Sequence, residues 1–337
     1  MIDLLVAGGG PAGLATAIHG ALAGLRVVVV EPRPAPVDKA CGEGLMPTGV
    51  TALARLGITP AGRPLAGIRY LDARHAVEAR FRAGPGLGVR RTTLHTALYE
   101  RARALGVEHR VGRVGDVHQD AHGVTAAGLT AHWLVAADGL HSPIRAALGS
   151  TPPDRRARRY GLRRHFAVEP WTDFVEVHWS PHGEAYVTPV GPDLVGVAVL
   201  GPRGRPYDEH LAAFPALRAR LAGAAAGDVR GAGPLRRRVR TRVAGRVLLV
   251  GDAAGYTDAL TGEGIALALA SARALVGALV AGCPERYEAD WRRLSRRHRV
   301  LTETLLTARA RPHTARLIVP AAHRLPTVFG TVVNALA

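Results

Sequence analysis

The feature that most constrains this chain lies at its start. Ile2 to Ala7 is a short apolar run that ends in Gly8-Gly9-Gly10-Pro11-Ala12-Gly13, a G-x-G-x-x-G pattern on Gly8, Gly10 and Gly13. An Ala-rich stretch of helical character follows to about Ala23, then a β-branched run from Arg26 to Val30 that closes on Glu31. A lone glycine triplet says little. Inside a strand–helix–strand unit with an acid at the end of the second strand, it specifies a dinucleotide site. Gly8 permits the tight turn, Gly10 lets the backbone approach a pyrophosphate, and Gly13 allows close packing of helix on strand. The helix N-terminus offers free N–H groups and the positive end of its dipole to the phosphates. Glu31 is placed to accept hydrogen bonds from the adenosine ribose hydroxyls.

Two later segments bear on which dinucleotide is bound. Trp133 to Ala137 reads as a strand, followed by Asp138-Gly139-Leu140-His141-Ser142-Pro143-Ile144-Arg145. Arg246 to Val250 reads as another, followed by Gly251-Asp252-Ala253-Ala254-Gly255, then Asp258 to Ile265 and an Ala-rich helix to about Val280. Asp-Gly alone is an ordinary turn signal, whereas the Gly251–Ile265 stretch is a far rarer pattern. A carboxylate after a core strand binds ribityl hydroxyls, and the glycines beyond it let a helix N-terminus approach a flavin ring. Arg91-Thr92-Thr93-Leu94 with Leu98 adds an Arg-x-x-Leu-x-x-x-Leu pattern.

In this order, these residues resemble the FAD-dependent family that contains p-hydroxybenzoate hydroxylase-type aromatic monooxygenases and geranylgeranyl reductase-type enzymes. The resemblance runs from residue 1 to about 285. It implies an α/β fold: a Rossmann-like, glutathione reductase-type FAD-binding domain with an interleaved antiparallel β-sheet substrate domain and C-terminal helices. It implies cofactor contacts at Gly8, Gly10, Pro11, Ala12 and Gly13, and after the second strand at Glu31, Pro32 and Arg33. Further contacts are implied at Gly42, Arg91, Val114, Asp138 and Gly139, and at the flavin end at Asp252, Gly262, Gly264 and Ile265. Cys41-Gly42-Glu43-Gly44-Leu45-Met46-Pro47 is similar to the reductase-type branch, where a Cys-Gly-rich loop borders the isoalloxazine. Tyr256 stands where many of the aromatic hydroxylases carry a histidine.

The 337 residues suit one large domain or two interleaved ones, and 47% hydrophobic content predicts a packed core. Two cysteines, Cys41 and Cys283, are too few for a disulfide framework and point to a reducing, cytoplasmic setting. No secretory leader and no run of 18 apolar residues is apparent, so no transmembrane helix is expected. A formal charge of +17 invites a nucleic-acid reading. Lys39 is the sole lysine, however, and the arginines lie among Ala, Gly and Pro with few aromatics to stack bases. An anionic cofactor or substrate is the better use of local basic patches.

The FAD domain is expected to be discontinuous, over 1–65, 84–150 and 240–284. A substrate-side sheet takes 66–83 and 151–239, and 285–337 forms a C-terminal helical segment. Tyr160–Val168, Phe174–Trp179, Glu184–Val190 and Leu194–Leu200 read as strands joined by short turns that suit antiparallel pairing. Val175, Val177 and Trp179 share one face, and Phe174, Glu176 and His178 the other. Tyr287, Trp291, Leu294, His298, Leu301 and Leu305 fall at helical spacing and predict a packed stripe. The apolar tail from Leu317 to Ala337 is read as simple packing, in preference to closing a greasy pocket or touching a membrane surface.

A flavin carries its own reactivity, and the protein orients and tunes it. No second G-x-G-x-x-G opens a helix, so NAD(P)H is expected as a transient reductant. Arg155, Arg156, Arg158, Arg159, Arg163 and Arg164 are weighed as contacts for its phosphates against a solvated basic surface. Cys41, Glu43 and His165 are the acid–base candidates, each weighed against a packing role. The absence of a Trp-x-Trp pair argues against a halogenase. Three functions stay open. The first is NAD(P)H-dependent hydroxylation of a hydrophobic aromatic or polyketide-like molecule in secondary metabolism. The second is geranylgeranyl reductase-type reduction of a carbon–carbon double bond. The third is a flavin-binding redox sensor or other non-enzyme. Substrate and oligomeric state are not legible.

Overall fold

The computed structural model describes residues 1–153 and 158–337. Its first sheet runs Val243–Ala244, Val247–Leu249, Leu129–Ala136, Ile2–Ala7, Val27–Glu31, Glu108–Val111. From Val247–Leu249 onward the neighbours are parallel, with Leu5 beside both Leu134 and Val28. Strands buried on both faces carry unbroken apolar runs, and Leu4, Leu5, Val28, Val29, Leu134 and Val135 are fully buried. Helices Pro11–Leu22, Arg91–Ala104 and Gly264–Val280 contribute to the same core as this sheet. Arg91, Leu94, Leu98 and Ala102 form the buried stripe of the second of these.

The second sheet runs Ala225–Ala226, Tyr160–Ala167, Leu194–Gly201, Gly183–Pro189, Phe174–Ser180, Gly67–Leu71, Ala76–Arg80. The hairpin-linked strands pair antiparallel. Phe174–Ser180 pairs with Gly67–Leu71 in parallel, joining two distant stretches of chain in one sheet. Val175, Val177 and Trp179 point into one apolar cluster with Leu65, Tyr186 and Leu200. On the other face, Glu176 accepts a hydrogen bond from the Trp171 indole at 3.1 Å, and His178 meets Phe214 edge-on.

Helix Arg286–Ala310 corrects the expected stripe. Its buried positions are Tyr287, Trp291, Ser295, His298 and Thr302, while Leu294 is 38% exposed and Leu301 only half-buried. The helix packs a polar seam in its middle. Thr261 Oγ1 lies 2.9 Å from Thr302 Oγ1, and His298 Nδ1 lies 2.5 Å from a Glu263 carboxylate oxygen. Leu294 turns outward because the facing loop presents groups that need hydrogen bonds when buried, whereas Leu305 packs as expected, against the cluster that holds Trp179 and Leu260.

The apolar tail folds as helices Ile318–Arg324 and Pro326–Leu336. Phe329 and Val333 bury against Val77 and Ala79 of the second sheet's edge strand. Asn334 clamps that strand's end, accepting from the Arg82 N–H at 2.8 Å and donating to the Arg80 carbonyl at 2.9 Å. No helix among the described residues is long and apolar enough to cross a membrane.

Candidate functional site

The glycine turn is built as its residue types require. A Cβ on Gly13 would sit 1.9 Å from the Gly8 carbonyl oxygen, and Gly8 has φ +110 with its own Cβ position 2.5 Å from the Ala137 carbonyl. Gly10 faces open space except for an Arg91 guanidinium nitrogen at 3.9 Å. Glu31 braces the turn: its carboxylate accepts the Gly9 N–H at 2.8 Å and the Arg33 Nε at 2.6 Å. Burial works to raise the Glu31 carboxyl, but the hydrogen bonds from Arg33 and Gly9 outweigh it and hold its pKa below the usual value. His95 locks the same turn from below, its Nε2 2.9 Å from the Gly9 carbonyl. Pro32 and Arg33 are exposed beside Glu31, and Val114 is buried in the loop after Glu108–Val111.

Two carboxyls stand at strand ends that abut the turn, for a Cβ on Gly8 would lie 3.2 Å from Asp138 Cα and one on Gly251 2.6 Å from Ala12 Cβ. Asp138 follows Leu129–Ala136, and its Oδ2 accepts the Ile144 N–H at 3.3 Å while Oδ1 is buried without a partner. Asp252 follows Val247–Leu249. Burial raises the pKa of both, opposed at Asp138 by the Ser142 hydroxyl and Ile144 N–H and at Asp252 by the charges of Lys39, Arg91 and Arg145. Arg145, which sequence reasoning placed in the Asp138 segment without a role, ties the two strand ends together. It donates to the carbonyls of Leu140 at 2.9 Å and Ala253 at 3.2 Å. Helix Gly264–Val280 begins here. Gly262 has φ +70, and a Cβ on Gly264 would lie 3.3 Å from the Tyr256 ring, so Tyr256 is the immediate neighbour of the helix start.

A cavity of about 820 Å³ joins these groups. One end holds Gly10, Pro11, Ala12, Arg91, Asp138 and Asp252; the middle holds Cys41, Gly42, Gly139, Gly262, Gly264 and Ile265. The far end is an apolar vault that includes Ile68, Val175, Val177 and Leu200 from the sheet and Phe329 and Val333 from the tail. Tail packing therefore also closes the vault. The cleft suits an FAD. The buried Arg91 Nε and Asp138 Oδ1 have no protein partner, and Gly42 has no atom within 4 Å of where a Cβ would stand. Unpaired buried polar groups are costly, so a ligand that supplies hydroxyls and phosphates fits them.

Glu43 and His165, 122 residues apart in the chain, form one buried pair. Glu43 Oε2 lies 2.6 Å from His165 Nε2, and Glu43 Oε1 accepts the Arg91 N–H at 2.8 Å. His165 Nδ1 faces an Arg163 Nη1 at 3.0 Å. A guanidinium only donates, so Nδ1 accepts and Nε2–H donates to Glu43. His165 is absent from the cavity wall, whereas Cys41, two residues before Glu43, is on it. Burial raises the Cys41 thiol pKa, and its Sγ accepts the Glu43 N–H at 3.4 Å.

The arginines weighed for a nicotinamide's phosphates are otherwise engaged. Arg159 pairs with Glu184 at 2.5 Å, Arg163 with Asp38 at 2.5 Å, and Arg164 donates to the Gly227 carbonyl at 2.8 Å. The buried Glu184 carboxylate requires such a partner and claims Arg159, while Arg163 and Arg164 are held by the part-exposed Asp38 and a backbone carbonyl. Arg158 is exposed, and Arg155 and Arg156 lie outside the described residues. The sequence reading missed the cavity tyrosines Tyr70 and Tyr186, whose only signal was an inward-facing place in a strand.

A family profile described as FAD binding domain matches residues 1–210. The chain is 30% identical to a menaquinone reductase of Mycolicibacterium smegmatis over 339 residues, covering 88% of this chain and 80% of that one. It is 33% identical to a rifampicin monooxygenase of Streptomyces venezuelae over 180 residues, 47% of this chain and 36% of the relative. The flavin-dependent halogenase CmlS superposes with a TM-score of 0.81 at 22% identity, over 91% of this chain and 64% of the halogenase; a likeness this remote in sequence speaks for the fold alone. With a profile match over more than half its length and the glycine turn, acids and arginine in their places, the chain belongs to the FAD-binding-domain family of flavin-dependent oxidoreductases.

Proposed function

We propose that this oxidoreductase saturates a carbon–carbon double bond in a long apolar molecule. The observation that carries the reading is the cavity itself, an apolar vault beside the flavin-side residues with the thiol of Cys41 and the phenols of Tyr70, Tyr186 and Tyr256 on its wall. Burial raises the pKa of Cys41, Tyr70, Tyr186 and Tyr256, all of which line the cavity. Thiols and phenols are neutral at pH 7 in any case, and burial keeps them so while making them weaker acids. Hydroxylating a phenol calls for a base to activate the ring, whereas saturating an alkene calls for a hydride on one carbon and a proton on the other. A wall of neutral acids answers the second demand.

Bound FAD, once reduced, supplies the hydride. Arg91, Asp138 and Asp252 hold and orient it. The N-terminus of helix Gly264–Val280 stabilises developing negative charge beside it by about 1 kcal/mol. The apolar vault excludes water and aligns the substrate chain. Tyr186 already donates to the Leu260 carbonyl at 2.9 Å, which leaves Cys41, Tyr70 and Tyr256 as the proton reservoir. The reductase relative, aligned over most of both chains, and the Cys41–Pro47 loop favour the same order. Hydroxylation, which the sequence put first, is the second reading and is supported by the monooxygenase relative over 47% of the chain.

The two readings separate in one experiment. FAD-loaded protein reduced with dithionite under argon is incubated with menaquinone or a geranylgeranyl lipid, and the products are analysed by mass spectrometry. A product heavier by two hydrogens, formed without oxygen and diminished in Cys41→Ala or Tyr256→Phe protein, is expected. A product that carries oxygen and forms only in air assigns hydroxylation instead.

A further inference from the structure

Saturating a double bond in the vault consumes one proton at every turnover. The apolar walls keep water out, and a buried thiol or phenol that gives up its proton must be recharged before it can act again. Solvent stands close behind one of those walls. A groove of about 1050 Å³ lies between the 236–242 stretch and helix Arg286–Ala310. Gly251, Asp252, Tyr256, Gly264 and Ala268 line both the groove and the cavity, so the two are separated by a thin partition.

Two side chains meet inside that partition. His298, on the buried face of helix Arg286–Ala310, lines the groove and not the cavity. Thr261, just before helix Gly264–Val280, lines the cavity and not the groove. His298 Nδ1 lies 3.1 Å from Thr261 Oγ1 and 2.5 Å from Glu263 Oε2, and Thr302 Oγ1 fixes the Thr261 hydroxyl from 2.9 Å. A carboxylate only accepts, so Nδ1 carries a hydrogen and directs it inward, which leaves Nε2 for groove water. All four side chains are buried. A seam that merely satisfied its own hydrogen bonds could lie anywhere in the core; this one runs from the wall of the groove to the wall of the vault.

We propose, resting on the reductase reading for the proton's destination, that His298 and Thr261 form the relay that carries solvent protons from the groove into the vault. A proton enters the ring at Nε2. The Nδ1 proton passes to Thr261 Oγ1, whose own hydroxyl proton moves on into the cavity. Glu263 balances the positive ring between the two transfers, and ring and hydroxyl turn before the next proton. Imidazole suits the task because it loads and unloads a proton near neutral pH. In the net reaction the double bond takes a hydride from reduced FAD and this proton from solvent. The other charged or titratable groups that face the groove are the arginines of the 236–242 stretch, Arg292, Arg299 and Glu303 on the helix of His298, and Asp252 and Tyr256 on the inner wall.

The test uses the FAD-loaded full chain and its His298→Ala and Thr261→Val variants, with Thr261→Ser to restore the hydroxyl. Two rates are read under argon. One is proton uptake as the bound flavin is photoreduced, followed with a pH-indicator dye. The other is single-turnover saturation of menaquinone or a geranylgeranyl lipid by dithionite-reduced protein. Both should fall about a hundredfold in His298→Ala and in Thr261→Val, the low end of what a positioned proton-transfer group contributes. Thr261→Ser should run as wild type, and imidazole added to His298→Ala should enter by the groove and restore its rates. Lower thermal stability with unchanged rates and no response to imidazole would make the seam structural and overturn the relay. Rates slowed only in Tyr256→Phe would also overturn it and give the passage to the phenol in the partition. If Thr261→Val does not retain FAD, His298→Ala and its response to imidazole decide the matter. Slowed proton uptake in both variants of a protein that yields no saturated product would sink the reductase reading and leave the relay standing.

Discussion

At the scale of single residues, Asp252 shows how a local motif becomes a site. It stands at the end of a strand whose Val247, Leu248 and Leu249 are fully buried, and only the charges of Lys39, Arg91 and Arg145 offset the burial of its carboxyl. A buried carboxylate without hydrogen-bond donors is unfavourable, so its gain must come from the ligand. Asp252→Ala should therefore weaken FAD binding by about 1–3 kcal/mol while the apo-protein keeps its stability or gains some. Fluorescence titration of FAD into the two apo-proteins, with a urea melt of each, measures both quantities. Unchanged affinity together with a less stable apo-protein would make Asp252 a turn residue and nothing more.

Among elements, the 38–45 loop matters most, because it joins the two sheets. Glu43 has φ +59, a strained conformation for a residue with a side chain. Its carboxylate is held by the Arg91 N–H at the start of one helix and by His165 on a strand of the other sheet. Gly196 on the neighbouring strand makes room, for a Cβ there would stand 2.8 Å from Glu43 Oε2. Glu43→Ala should cost about 1–3 kcal/mol of stability, since it orphans two buried donors. The loosened loop should also speed iodoacetamide labelling of Cys41, a half-buried thiol whose pKa burial raises, relative to that of exposed Cys283. Equal urea midpoints and equal labelling in both proteins would deny the loop this role.

For the whole molecule, acid sensitivity follows from how helices pack on the first sheet. His19 on helix Pro11–Leu22 has its pKa lowered to about 4, by burial first and then by Arg273 of helix Gly264–Val280. In the unfolded chain it titrates near 6.5. The unfolded state thus binds the proton more readily. The stability this group contributes is present above about pH 6.5 and is lost as pH falls through 4, by about 3 kcal/mol at most. His19→Gln should flatten the fall in urea midpoint between pH 6.5 and pH 4 relative to wild type. A parallel slope in both proteins would place the acid sensitivity elsewhere, for instance at His95 or His109, whose pKa values burial also lowers.

The parts that the sequence determined by itself are those whose physics is local. A glycine at φ +110, a helix N-terminus a few residues after a strand, and an acid at a strand end are all specified by near neighbours in the chain. The turn at Gly8–Gly13, Glu31, Asp138, Asp252 and the alternation of Val175, Val177 and Trp179 were accordingly legible. Tertiary structure decided what depends on the meeting of distant segments. Arginines that look alike in sequence part company by which carboxylate lies opposite: Glu184 and Asp38 claim Arg159 and Arg163, and nothing among the described residues claims Arg238, Arg240 or Arg299. Glu43 meets His165 across 122 positions, and the helix stripe at 287–302 rotates toward Ser295 and Thr302 because Thr261 and Glu263 need partners there. That the apolar tail could close a pocket was open in the sequence, but it becomes a cavity wall because the edge strand Ala76–Arg80 and the chain end meet across some 250 residues, a contact enforced by buried area.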